Sequence, residues 1–189
     1  MMIVTRCIDS VWLIIGVFWL GMALRIKASA RREPWTSRVG HLVIIVPAFY
    51  LLLSDITHIG FLGARLYPDS VGARWVGFCL LASGAAFAVW ARFVLGANWS
   101  GTVTVKLDHE LMRQGPYALV RHPIYSGLLL GALGTALAQG EVRGLIGLVI
   151  MFAGWSSKAS SEERLMAEKF GGAYSSYKQR VKKLVPFVY

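Results

Sequence analysis

Five apolar runs, separated by polar connections, constrain this 189-residue chain more than any other feature. They are Asp9–Leu24, His41–Gly63, Val71–Leu95, Ile124–Gln139 and Val142–Trp155. A helix needs about 20 mainly apolar residues to cross a bilayer. Five such helices and a modest polar region account for the whole length. At 56% hydrophobic residues and a mean hydropathy of +0.54, the chain is too apolar for a soluble domain of this size. The expected fold is an all-α integral membrane protein of about five transmembrane helices, forming one domain over residues 1–189. Residues 1–95 make its three-span N-terminal membrane part.

The runs differ in detail. In the first, a cleaved signal peptide is the competing reading, because Ala28-Ser29-Ala30 resembles a cleavage site. Against it, only Arg6 precedes the apolar stretch, and the heavier cluster Arg25, Lys27, Arg31, Arg32 and Arg38 follows it. Pro47 kinks the second run, and Asp55 and His58 near its end read as interfacial. Gly77, Ser83 and Gly84 let the third run pack closely on another helix, while Arg92 near its end snorkels to the interface. Gly127, Gly131 and Gly134 give the fourth run a small-residue face. The turn Gln139-Gly140-Glu141 is so short that the last two runs form an antiparallel helical hairpin. The fifth helix continues through Lys169 as it leaves the membrane, until Gly171-Gly172 ends it. Tyr174 to Tyr189 is a basic amphipathic tail expected to pack back on the cytoplasmic face. Trp12, Trp19, Trp75, Trp90, Trp99 and Trp155 read mostly as an interfacial belt.

Charge sets the orientation. The net charge is +10, and cationic loops beside apolar spans reflect membrane topology rather than nucleic-acid binding. With the N-terminus outside, only Arg6, Arg65, Arg74 and Arg143 fall outside; the other 16 of the 20 Lys and Arg are cytoplasmic. The opposite orientation violates the positive-inside rule. Cys7 and Cys79 lie in or beside apolar segments, and His and Cys show no metal-ligand spacing, so neither a disulfide nor a metal site is expected.

One polar stretch stands apart. Arg113 to Gly127 holds two arginines, a histidine, two tyrosines, two prolines and two glycines, far more chemistry than a loop between spans requires. Gly115-Pro116 stops any preceding helix. Pro123 sits where its missing N–H suits the first position of a new one. Tyr117 to His122 is therefore a fixed polar elbow leading into the fourth run.

The pattern G-x-Y-x-x-x-R-H-P-x-Y-x-G in this elbow resembles the signature of the isoprenylcysteine carboxyl methyltransferase family. The second half of that signature is present too, as Glu162-Glu163, Phe170-Gly171, Tyr174, Tyr177 and Pro186, and Leu95-Gly96-x-Asn98-Trp99-Ser100 resembles its entry. The resemblance covers roughly residues 95–189. It implies a cytoplasmic cofactor-binding and catalytic region over 96–189, with S-adenosylmethionine as methyl donor. It implies donor contacts from His109, Glu110, Leu111, Met112, Tyr117, His122, Pro123, Ile124, Tyr125 and Glu162. It implies that Arg121 anchors an anion, and that Lys158 stands where eukaryotic members carry an arginine orienting the acceptor carboxylate. Lysine is a point charge without the bidentate fork, so this departure touches the acceptor more than the donor. The implied acceptor is an isoprenylcysteine or similar lipophilic acid that enters from the bilayer, beside membrane lipids.

Plainer readings remain for single residues. Arg121-His122 also suits an interfacial anchor. Glu162 follows Lys158 by four residues, which also makes a surface ion pair. Glu163, turned about 100° from Glu162 on a helix, reads as solvated. Tyr174 and Tyr177 read as packing residues. Rival functions are methylation of a phospholipid amine or small thiol, a nicotinamide-dependent membrane reductase, and a non-enzymatic scaffold. Oligomeric state is not legible.

Overall fold

Two antiparallel helices in backbone contact form the axis of the fold. The computed structural model describes residues 2–23, 29–32, 35–54, 59–96, 104–106 and 111–189. Helix α3 (Val71–Leu95) starts at Ser70, whose hydroxyl accepts the amide of Ala73. Helix α4 (Pro123–Gln139) starts on its proline and ends at Gly140, which takes the left-handed conformation. Where they cross, a Cβ on Gly84 would lie 2.4 Å from the Gly127 carbonyl oxygen, and one on Gly77 would lie 2.4 Å from that of Gly134. The contacts are reciprocal and two turns apart. The small faces expected on these two runs therefore meet each other, as close packing without a hydrophobic driving force requires.

Helix α1 (Met2–Ala23) lies against this pair. Trp12 donates its indole N–H to the Thr135 hydroxyl at 2.9 Å, and that hydroxyl donates to the Gly131 carbonyl. Helix α2 (Trp35–Leu53) packs on α5 (Val142–Phe170) at Gly147 and Gly154, where the Ala48 carbonyl and Ile44 leave no room for a side chain. The α4–α5 hairpin forms as the short turn requires. Helix α5 runs through Phe170, Gly171 ends it at φ 50°, and α6 (Gly172–Arg180) follows. Strands β1 (Ser29–Arg32) and β2 (Thr104–Lys106) pair antiparallel between the two polar connections, with Ser29 opposite Lys106. Apart from this pair and isolated bridges, the described residues are helical or irregular.

At one end of the helices, Arg65, Asp69, Arg74, Glu141 and Arg143 form an ion-pair network, and the Arg65 and Glu141 backbones bridge. Three of the four arginines assigned to one side by charge thus gather together. The elbow, the end of α5 and the tail lie at the other end.

Three expectations change. The second run forms a helix over Trp35–Leu53 rather than His41–Gly63, because Ile59 is extended and Gly60 turns at φ 55° into a separate 3-10 turn, Gly60–Gly63. Asp55 and His58 lie outside the described residues. Arg92 does not snorkel. It is buried, donating to the Gly96 carbonyl at 2.7 Å and the Met22 carbonyl at 3.3 Å, where it ties the ends of α3 and α1. Trp12 and Trp155 are buried core residues, whereas Trp75 and Trp90 are about half exposed as a belt requires. Among the described residues, Ile3–Met22 and Val71–Leu95 are long and apolar enough to cross a membrane, and Val39–Leu53 is a shorter apolar helix.

Candidate active site

The elbow is built by its prolines and held by the tail. Gly115 turns at φ 58°, and Pro116 opens a 3-10 turn over Gly115–Ala118. That turn buries Tyr117, whose carbonyl accepts the Tyr177 hydroxyl at 2.6 Å. Residues 181–184 then run alongside residues 120–122. The Arg121 amide donates to the Lys182 carbonyl at 2.8 Å and the His122 amide to that of Lys183 at 3.1 Å. Ser126 donates to the Leu184 carbonyl, and Leu184 is buried. The tail does pack back on the protein, and it does so on the elbow's backbone.

His122 caps α4 and points its ring at the end of α5. Its Nδ1 lies 3.4 Å from Glu162 Oε2 and its Nε2 lies 3.3 Å from Glu163 Oε1. Tyr125, one turn on, donates to Glu162 Oε1 at 2.6 Å. Arg121 grips Glu163 through Nε at 2.8 Å and Nη2 at 2.7 Å, and its Nη1 donates to the carbonyls of Lys178 and Val181. Lys178 approaches Glu163 at 3.5 Å. The Tyr125 ring is stacked between His122 and Trp155, at 5.7 and 6.0 Å between centroids and within 8° of parallel. Lys158 Nζ sits 5.9 Å over the same ring.

Electrostatics follow from the pairing. Burial works against the charge on Glu163, but hydrogen bonds from His122 and Arg121 outweigh it and hold the carboxyl down at about 2. Burial likewise opposes ionisation of Glu162, yet His122, Lys158 and Tyr125 lower its pKa. Burial alone would lower His122; its two carboxylate partners raise it instead. Burial pushes Tyr177 up to about 12, so its phenol stays a donor. The result is two carboxylates, a guanidinium and an imidazole with both nitrogens facing acceptors, roofed by aromatic rings.

Most residues singled out in the sequence converge here. Met112 packs with Tyr117 and Ile124 against Ala91 below the elbow, Leu111 is half-buried next to it, and Pro123 is buried at the start of α4. His109 and Glu110 lie outside the described residues. Lys158 and Glu162 share a face of α5 with Trp155. Arg121 is present but engaged by Glu163. Glu163 itself is 5% exposed rather than solvated. It lies on the buried stripe Gly147, Met151, Trp155, Ala159, each four residues apart. That stripe is written in the sequence and would have placed Glu163 inside. Tyr174 and Tyr177 are buried packing residues, as expected.

A family model described as phospholipid methyltransferase matches residues 73–173, more than half of the chain. A protein-S-isoprenylcysteine O-methyltransferase of Schizosaccharomyces pombe is 34% identical over 96 residues, which are 49% of this chain and 41% of the relative. Protein-S-isoprenylcysteine O-methyltransferase B of Arabidopsis thaliana is 23% identical over 152 residues, 77% of each chain. In three dimensions, the fold is similar to that of the eukaryotic intramembrane Ras methyltransferase ICMT, an isoprenylcysteine carboxyl methyltransferase. The TM-score is 0.54 at 22% identity, over 79% of this chain and 53% of that one. The chain thus spans about half or less of the fission-yeast relative and of the solved chain, and about three quarters of the plant relative. The matched region runs from α3 through the elbow to the end of α5, and this chain therefore belongs to the phospholipid methyltransferase family.

Proposed function

We propose that this protein is an integral membrane methyltransferase that transfers a methyl group from S-adenosylmethionine to the carboxylate of an isoprenylcysteine or a similar lipophilic acid. The observation that carries the reading is the convergence of Glu162, His122 and Tyr125 at the start of α4. The donor supplies an electrophilic methyl group on a sulfonium. The residues suit such a donor: Glu162 is ionised yet 23% exposed, so it can accept from hydroxyl or ammonium groups. Tyr125 presents a ring held flat by its neighbours, and Met112 and Ile124 supply apolar contact.

A C-terminal carboxylate has a reference pKa of about 3.3–3.7 and is ionised at neutral pH, so no general base is required. The protein's task is to desolvate and orient the acceptor. Arg121, committed to Glu163, acts as a positioning residue. Lys158, one turn before Glu162 and over the Tyr125 ring, is the cation assigned to the acceptor carboxylate. Five spans with the N-terminus outside put the elbow and tail on the cytoplasmic side, so the donor arrives from the cytoplasm and the acceptor from the bilayer. The family description itself favours one second reading, a phospholipid amine as acceptor at the same donor site.

Calorimetry of S-adenosylhomocysteine binding to detergent-purified protein tests the donor site. Wild type is expected to bind, and Glu162→Ala and His122→Ala to lose binding. No binding by folded wild type would sink the proposal. Transfer to an isoprenylcysteine analogue but not to a phospholipid amine then selects the acceptor.

A further inference from the structure

In the proposed function Glu163 only engages Arg121, yet it is the most heavily contacted carboxylate at the site. Its Oε1 meets both nitrogens of one edge of Arg121, at 2.8 and 2.7 Å, and His122 Nε2 at 3.3 Å. Its Oε2 meets Lys178 at 3.5 Å. Only 5% of it is exposed, so it has no direct path to a ligand in the way that Glu162 has. The ring of His122 therefore lies between two consecutive residues of α5, one buried and one open. Which nitrogen faces which carboxylate is set by the buried partner, because Arg121 pins that one from the other side.

We propose that Glu163 is a positioning residue acting through His122: by binding Nε2 while Arg121 holds it in place, it turns Nδ1–H toward Glu162 and so fixes the carboxylate that meets the methyl donor. This rests on the methyl-donor reading above. A metal-site histidine is oriented by its outer partner in the same way. Here the outer partner orients a hydrogen bond to a carboxylate instead. Tyr125 supplies the second fixed donor to Glu162 and also stacks on the His122 ring, so rotation of the imidazole would disturb both. The ring itself meets Glu162 and Glu163 from α5 and Tyr125 from α4; Arg121 from the elbow and Lys178 and Tyr174 from α6 act on it through Glu163, and Lys158 from α5 through Glu162 and Tyr125. Both carboxylates favour the protonated imidazole, in line with the upward direction of its titration.

The full chain carries four histidines, so labelled-histidine NMR in detergent can resolve the His122 ring, and S-adenosylhomocysteine calorimetry can be run on the same samples. In wild type His122 is expected to titrate above its ordinary value of 6.5 and to show one ring state below that midpoint. In Glu163→Gln the midpoint moves down, the neutral ring samples both tautomers, and affinity for the donor analogue falls about tenfold, the scale of one charge-assisted contact. Glu163→Asp keeps the charge with a shorter reach and is expected to fall between the two. A purely structural role would lower stability without moving the midpoint. If Glu163→Gln does not fold, an Asp variant with the wild-type midpoint and affinity overturns the proposal, as does a wild-type ring titrating at its ordinary value. Wild type that fails to bind the donor analogue overturns the donor reading. Wild-type binding with both readouts unmoved in the variants overturns this role for Glu163 alone.

Discussion

His122 and Glu163 tie stability to pH in opposite senses. Glu163 is held at about 2 against an ordinary 4.5, so its contribution is complete above 4.5 and lost as pH falls toward 2. By linkage that contribution is on the order of 3 kcal/mol. His122 is raised above 6.5, so its contribution is complete below 6.5 and is lost as pH rises through the higher folded value. Thermal unfolding in detergent should therefore show greatest stability between about pH 4.5 and 6.5 and decline on both sides. A midpoint temperature that still climbs from pH 6 to 9 would contradict it. Much of this cluster was legible in the sequence, because His122, Tyr125 and Glu162 sit in a dense motif. Glu163 and Trp155 were misread. A charged residue and a tryptophan are ordinarily read as surface and belt, and only the four-residue stripe through Ala159 shows that this side of α5 faces inward.

Among elements, the α3–α4 crossing depends on the absence of side chains. Alanine at Gly84 or Gly134 would set a Cβ within 2.4 Å of a backbone carbonyl on the opposing helix, and a backbone cannot rotate away as a side chain can. Gly84→Ala should cost about 1–3 kcal/mol or abolish monodisperse folding. Gly16→Ala, with nothing within 4 Å of the new methyl, should be tolerated. Equal unfolding temperatures for the two variants would refute this. The sequence displayed both small-residue faces, and the boundaries of α3 as well. It did not display their pairing, since a stripe of glycines specifies closeness without specifying a partner. The second apolar run was overextended for a related reason: hydropathy continues through Ile59 and Phe61, and only backbone geometry shows the chain turning at Gly60.

For the whole molecule, the two charged ends are chemically distinct. One is an arginine–carboxylate network that ties loops together; the other holds the elbow, the end of α5 and the tail. If they lie on opposite sides of a membrane, Leu66→Cys should react with an impermeant thiol reagent from outside in a background without Cys7 and Cys79. Gln179→Cys should react only after the membrane is opened. Labelling of both from one side would defeat the five-span topology. The Lys and Arg count alone predicts the orientation that this labelling tests, whereas the tail's seat on the elbow carries no such signal, because their pairing uses backbone groups. That pairing has a consequence in time. The amides of Arg121 and His122 are met by carbonyls synthesised about 60 residues later. At typical translation speeds the gap is roughly 3–12 s. During it the elbow has no partner for these two amides. A nascent chain thus carries an incomplete elbow until the tail has been made.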